Sequence, residues 1–241
     1  DETVYNINNV PTSRVSALDS CLLVLHDWSH NLTLDDKEID KERGVIHGEW
    51  RMRTGASYRM LEKCAPILYP DSRYGERLPI GLMSVVDHFK YQELKDYYQK
   101  WYRPDNQAII VVGDIDVDRT EQKIKEMFGS IKLPENPAKR IYYPVPDNDT
   151  IICTVQKDKE QPNLSVELMF KHEAIPDSAK NSVGYLIRSY LVNSAISMLN
   201  DRFEELQKEP DAPFTDAGVN DGNYILSKTK DALDFSATSK D

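Results

Sequence analysis

Four prolines fall between Pro134 and Asn148, in a stretch with no hydrophobic period. Proline fixes φ and lacks a backbone N–H, so neither a helix interior nor a central strand runs through such a segment. Whatever the chain folds into must be organised on either side of it. We read 137–148 as a linker, 1–136 as one domain portion and 149–241 as a second. The total of 241 residues suits this division, at roughly 100–200 residues per domain.

Before the prolines, the pattern is mainly helical. Thr3 to Ile7 alternates and reads as a strand, and Ser13 is placed to cap a helix from Val15 to His30. Leu34 to Leu68 reads as one or two long helices, with Asp35 and Asp36 suiting the positive end of a helix dipole. Pro70 to Pro79 reads as loop, and Glu93 to Tyr102 as a helix closed by Arg103-Pro104. The apolar run Ala108-Ile109-Ile110-Val111-Val112, ended by Gly113, predicts a buried strand. Arg119 to Phe128 is amphipathic and is closed by Gly129.

After the prolines, Thr150 to Gln156 and Leu164 to Lys171 alternate as strands. Ser178 to Lys208 has helical spacing, and three short strands are expected over 214–219, 223–229 and 233–238. Strands and helices come in runs instead of alternating strictly. That predicts an α+β fold with mainly antiparallel sheets backed by helices.

Charge and apolar runs narrow the function. The net charge is −10 and the basic residues are dispersed, whereas a nucleic-acid binder clusters positive charge to displace counterions. No apolar run reaches the ~20 residues of a membrane span. Cys21, Cys64 and Cys153 fit neither a disulfide framework nor a zinc knuckle.

Two constellations are candidates for chemistry. His26 and His30 have the i,i+4 spacing of a zincin pair, but Asp27 stands where a zincin has its glutamate and no further ligand follows at the right distance. A histidine near a helix C-terminus is also favoured by the dipole, and we read this pair as structural. Glu42 and Glu49 lie seven residues apart in Glu-Arg-Gly-Val-Ile-His-Gly-Glu. At about 100° per residue they share a helix face, roughly 10 Å apart along the axis. One carboxylate on such a face could bind a metal while the other holds charge beside it. His47, two residues from Glu49, faces elsewhere.

The order of several segments is more specific than any one of them. Residues 42–49, Leu78-Pro79-Ile80-Gly81, the helix end Tyr97-Tyr98-Gln99-Lys100-Trp101-Tyr102-Arg103-Pro104-Asp105-Asn106, and Ile110-Val111-Val112-Gly113-Asp114 follow one another in sequence. In this order they resemble the pitrilysin–insulinase family of zinc peptidases, the inverzincins. The resemblance covers about residues 1–130, and more loosely 145–241. It implies parts of two pitrilysin/insulinase-type (LuxS/MPP-like) metallohydrolase domains: the C-terminal part of a zinc-bearing domain over 1–136 and the N-terminal part of a second over 149–241. In that family, two histidines of an H-x-x-E-H helix and a glutamate on a later helix hold zinc, and water activated by the metal cleaves peptides. Glu49 matches the later ligand, and Glu42 matches the acid one heptad before it.

The sequence departs from this family pattern because H-x-x-E-H is absent from it. By resemblance the histidine helix would precede Asp1, so the chain is expected to be a window of a longer metalloendopeptidase. It would be inactive by itself and would hold no catalytic zinc. Its partners would be peptide substrates and the remaining domains of the same protein. The rival expectation is a non-catalytic family member acting as a scaffold or partner subunit. Resemblance to exported bacterial members points to the periplasm or cell envelope.

Overall fold

The computed structural model describes residues 2–240. Its helices are α1 (Val15–His30), α2 (Asp36–Arg53), α3 (Ala56–Leu68), α4 (Met83–His88), α5 (Tyr91–Trp101), α6 (Val117–Phe128) and α7 (Val183–Gln207). The strands are β1 (Ser165–Glu173), β2 (Phe214–Asn223) and β3 (Lys230–Ser239). The antiparallel sheet has the order β1-β3-β2. Helices and antiparallel strands occur in separate runs, as the α+β expectation requires.

The chain folds as two compact units. One comprises 1–48 and 82–140, the other 49–81 and 141–241. Local sequence explains many element ends. Asp116 caps α6 by accepting a hydrogen bond from the Arg119 backbone N–H at 3.0 Å, and Gly129 follows the last turn. Ser182 does the same for α7 through the Tyr185 N–H at 3.1 Å. Glu93 accepts from the Lys90 N–H at 2.7 Å at the start of α5. The cap of α1 is Arg14, without a side-chain bond, and not the expected Ser13.

The first unit is helical. Leu22, Ile39, Val86 and Tyr98 are buried in it, together with Arg103 and Thr120. Its N-terminal segment is fixed by aromatic side chains: Tyr5 lies 5.6 Å from the Trp28 ring and its hydroxyl is 2.5 Å from that of Tyr102. Tyr98 donates to the Trp28 carbonyl and accepts from the Leu32 N–H.

The second unit is organised around Tyr69, which is 2% exposed and clusters with Ala65, Val145, Tyr224 and Ala232. The Tyr69 hydroxyl donates to the Tyr224 carbonyl and accepts from the Leu226 N–H at 2.8 Å. The Tyr224 hydroxyl returns a bond to the Leu68 carbonyl at 2.9 Å. Gly75 lets its turn close over α3: a Cβ there would lie 3.1 Å from the Ala65 carbonyl oxygen and 3.2 Å from Pro66 Cα. The proline-rich residues of this unit are tied down by their backbone carbonyls, with Val145 buried and most of its neighbours exposed. Ser72 donates to the Pro144 carbonyl, Thr229 to that of Tyr143 and Lys171 to that of Pro146.

Four strand expectations need correction. Residues 3–7, 108–112 and 150–156 form no strand. Ile110, Val112, Ile151 and Val155 are 81%, 90%, 91% and 79% exposed, so these apolar runs are not buried. A β-forming run becomes a strand only where a neighbour supplies the ladder, and no neighbour pairs with them among the described residues. The expected strand at 223–229 is instead the β2–β3 connection, held to α3 by the tyrosine bonds above, with Ile225 in the left-handed region at φ 54°. The two flanking strands are correspondingly longer than expected.

Candidate functional site

Glu42 and Glu49 both lie on α2, two turns apart, as their spacing requires. Glu42 is exposed. Glu49 is half-exposed and pairs with Arg53 one turn later, with Arg53 Nη2 2.7 Å from Glu49 Oε1. Neither Gly44 nor Gly48 has an atom within 4 Å of where a Cβ would sit, and on the helical wheel both stand more than about 90° away from the two glutamates.

The opposite side of α2 is heavily engaged. Arg43 donates from Nη1 to the Val86 carbonyl, from Nη2 to the Phe89 carbonyl at 2.8 Å, and from Nε to Asp40 at 3.1 Å. Its guanidinium lies 3.9 Å from the Phe89 ring centroid, within cation–π range. Asp40 accepts from the Tyr91 hydroxyl at 2.7 Å, and Asp36 pairs with Lys95 at 2.7 Å. His47 Nε2 is 2.6 Å from Asp87 Oδ1. The hydrogen bonds from Tyr91 and Arg43 hold the Asp40 carboxyl below its ordinary pKa, and the bond to His47 does the same for Asp87.

The residues present do not form a zinc site by themselves. A catalytic zinc takes three protein ligands, and no group of three or more His, Cys, Asp or Glu side chains could hold a metal among the described residues. Glu49 offers one carboxylate, and His47 is turned to Asp87. His26 packs edge-on against Phe128, with ring centroids 5.3 Å apart, and lies 3.3 Å from Asp27. This is the structural role expected for it. No helix among the described residues is long and apolar enough to cross a membrane.

Two residues of this region escaped the sequence reading. Arg53 was visible in principle as an i+4 partner of Glu49. Arg43 was not, because its carbonyl partners lie more than forty residues away.

A family model described as the peptidase M16 inactive domain matches residues 88–217. The probable zinc protease PqqL of Escherichia coli (strain K12) is 32% identical over 206 residues, which are 85% of this chain and 22% of that protein. The crystal structure of the first half of the periplasmic protease PqqL from Escherichia coli matches with TM-score 0.82 at 25% identity, covering 96% of this chain and 48% of that one. Pitrilysin shares the fold, with TM-score 0.65 at 18% identity over 93% of this chain and 24% of its own. The chain therefore spans about a fifth of the length of the curated relative it matches. With more than half of its residues inside the family model, and with the fold and motif order of pitrilysin-type proteases, the chain belongs to the peptidase M16 family.

Proposed function

We propose that this chain works as part of a zinc metalloendopeptidase that hydrolyses peptides. In this reading Glu49 is the carboxylate zinc ligand and Glu42 the acid beside it. The histidine ligands come from outside this chain, so the chain alone neither holds catalytic zinc nor cleaves peptides. The observation that carries the reading is the solvent-facing, acid-bearing face of α2 in a chain whose relatives are named zinc proteases. A periplasmic or cell-envelope setting belongs to the same reading, supported by a matching solved structure that is described as a periplasmic protease.

The test is Glu49→Gln in the complete polypeptide. It should lose stoichiometric zinc and most peptide hydrolysis, by roughly 100-fold or more, while staying folded. Undiminished zinc and cleavage would remove Glu49 from the site.

A second reading has its own support, because the family model over 88–217 is described as an inactive domain. The whole protein would then be a scaffold or partner subunit without hydrolytic activity. Wild-type protein that binds no zinc and cleaves no peptide favours this alternative.

A further inference from the structure

Asp36, Asp40, Arg43 and His47 fall at i, i+4, i+7 and i+11 of α2. At about 100° per residue they lie within roughly 60° of one another. All four engage one short stretch of chain, from Val86 to Lys95. On the same wheel Glu42 and Glu49 stand roughly 130–150° away from the stripe and about 20° from each other. Exposure agrees: Glu42 is exposed, Val45 on the same face is 60% exposed, and Arg43 keeps only 15% of its side chain in solvent.

Arg43 is the most directional member of the stripe. Helix α4 is six residues long, and the carbonyls at a helix end lack intrahelical partners. The Arg43 fork takes the Val86 carbonyl and the carbonyl of Phe89, the cap residue, while its plane rests on the Phe89 ring. A planar guanidinium with several donors in fixed directions can meet these requirements together, whereas a lysine ammonium cannot. Rolling α2 about its axis would break both carbonyl bonds and the ring contact at once.

We infer that Arg43 is a positioning residue: it holds α2 by one face and thereby fixes the direction in which the carboxylates of Glu42 and Glu49 stand on the other. Arg43 touches neither carboxylate. It acts through the helix. This rests on the reading of Glu49 as a zinc ligand, and the experiment separates the two.

Zinc affinity of the complete polypeptide is measured against a competing chelator for Arg43→Met, Arg43→Lys, Glu49→Gln and Arg103→Met, with helical circular dichroism and Tm recorded for each. Arg103 is a buried arginine of the same unit whose partners are Asp105 and the carbonyls of Lys100 and Ala138, so its loss destabilises without touching α2. Supporting residues around a metal ligand typically contribute roughly 10–100-fold in affinity. Arg43→Met should weaken zinc by that factor with helicity retained. Arg43→Lys should not restore it, and Arg103→Met should lower Tm while leaving zinc affinity within about twofold.

Arg43→Met that holds zinc like wild type, beside a Glu49→Gln that does not, overturns the positioning role and leaves Glu49 as ligand. Equal weakening by Arg103→Met also overturns it, because general destabilisation then suffices. A Glu49→Gln that retains zinc overturns the ligand reading and this inference with it. Should Arg43→Met fail to fold, Phe89→Leu removes the ring beneath the guanidinium and keeps the carbonyls; it is expected to weaken zinc by a smaller factor, and wild-type affinity there counts against the inference.

Discussion

The two units hold themselves together differently. In the first, the buried apolar residues come from separate helices, and charged side chains carry much of the tertiary connection. Arg43 grips two carbonyls, Arg103 takes the carbonyl of Ala138, Arg119 pairs with Asp19 at 2.8 Å, and Lys95 pairs with Asp36. In the second, a contiguous cluster of Ala65, Tyr69, Val145, Tyr224 and Ala232 lies against the sheet, and ion pairs of Arg59 with Asp158 and of Lys230 with Asp147 and Glu173 are added to it. Directional contacts fix orientation at modest net energy. Packed rings contribute more energy with less angular demand. The lesson is that the first unit joins its helices mainly by directional contacts while the second adds an apolar cluster to its charged ones, so equivalent truncations should differ in which property they damage.

The largest effect should fall on Tyr69. Tyr69→Ala removes the centre of the cluster, and large-to-small changes at aromatic core positions cost roughly 3–5 kcal/mol. Tyr69→Phe keeps the ring but leaves the Leu226 N–H and the Tyr224 carbonyl without this partner, at a cost of roughly 1–3 kcal/mol. Urea unfolding followed by circular dichroism checks both. Tyr97→Ala, at a residue 58% exposed in the first unit, sets the baseline. If Tyr69→Ala falls near that baseline, the contrast between the units is gone.

Alkaline titration probes both units in one experiment. Burial raises the Tyr69 phenol from the ordinary value of 10.0 to about 12. Burial, and then the hydroxyl contact with Tyr5, pushes Tyr102 of the first unit up to about 12. In each case the folded-state pKa lies above the unfolded one, so folding favours the neutral phenol. The associated stability is fully present below about pH 10 and is lost as pH rises from 10 towards 12. Phenolate absorbance and circular dichroism should show late ionisation accompanied by unfolding. Tyr69→Phe and Tyr102→Phe should each delete one late phenol, from different units. A Tyr69 or Tyr102 that ionises near 10 with the fold intact would show that its hydroxyl is not secluded as described.

Much of this was legible in the sequence where the signal is local. The bounds of α1 and the end of α6 follow from periodicity and flanking residues, whereas α6 starts two residues before the expected Arg119 and the pattern left open whether Leu34 to Leu68 is one helix or two. The Glu42–Glu49 relation follows from spacing alone. What failed depends on distant partners. The run 108–112 is as apolar as a buried strand, but strands are completed by neighbours and local pattern cannot supply one. Tyr224, Ile225 and Leu226 looked like strand residues, yet Tyr224 serves the Tyr69 cluster and bends the chain between β2 and β3. The stripe Asp36, Asp40, Arg43, His47 has helical spacing, but a row of charges normally means a solvated face. Only the segment Val86 to Lys95 gives it meaning.

The smallest effect should come from Arg53, which sharpens the comparison from the other side. Its pair with Glu49 joins two residues on one helix, with side chains 64% and 42% exposed. Exposed i,i+4 pairs contribute about 0.3–0.5 kcal/mol, and salt screens them over ~10 Å at 0.1 M. Arg53→Ala should therefore lower Tm only slightly at low ionic strength and not measurably at high. In the complete polypeptide it should leave the Glu49 carboxylate in place, because the direction of that side chain is set by the far face of α2. A loss of stability above about 1 kcal/mol would mean that the end of α2 depends on its own charge pair, and the contrast between a face that grips and a face that is free would fail.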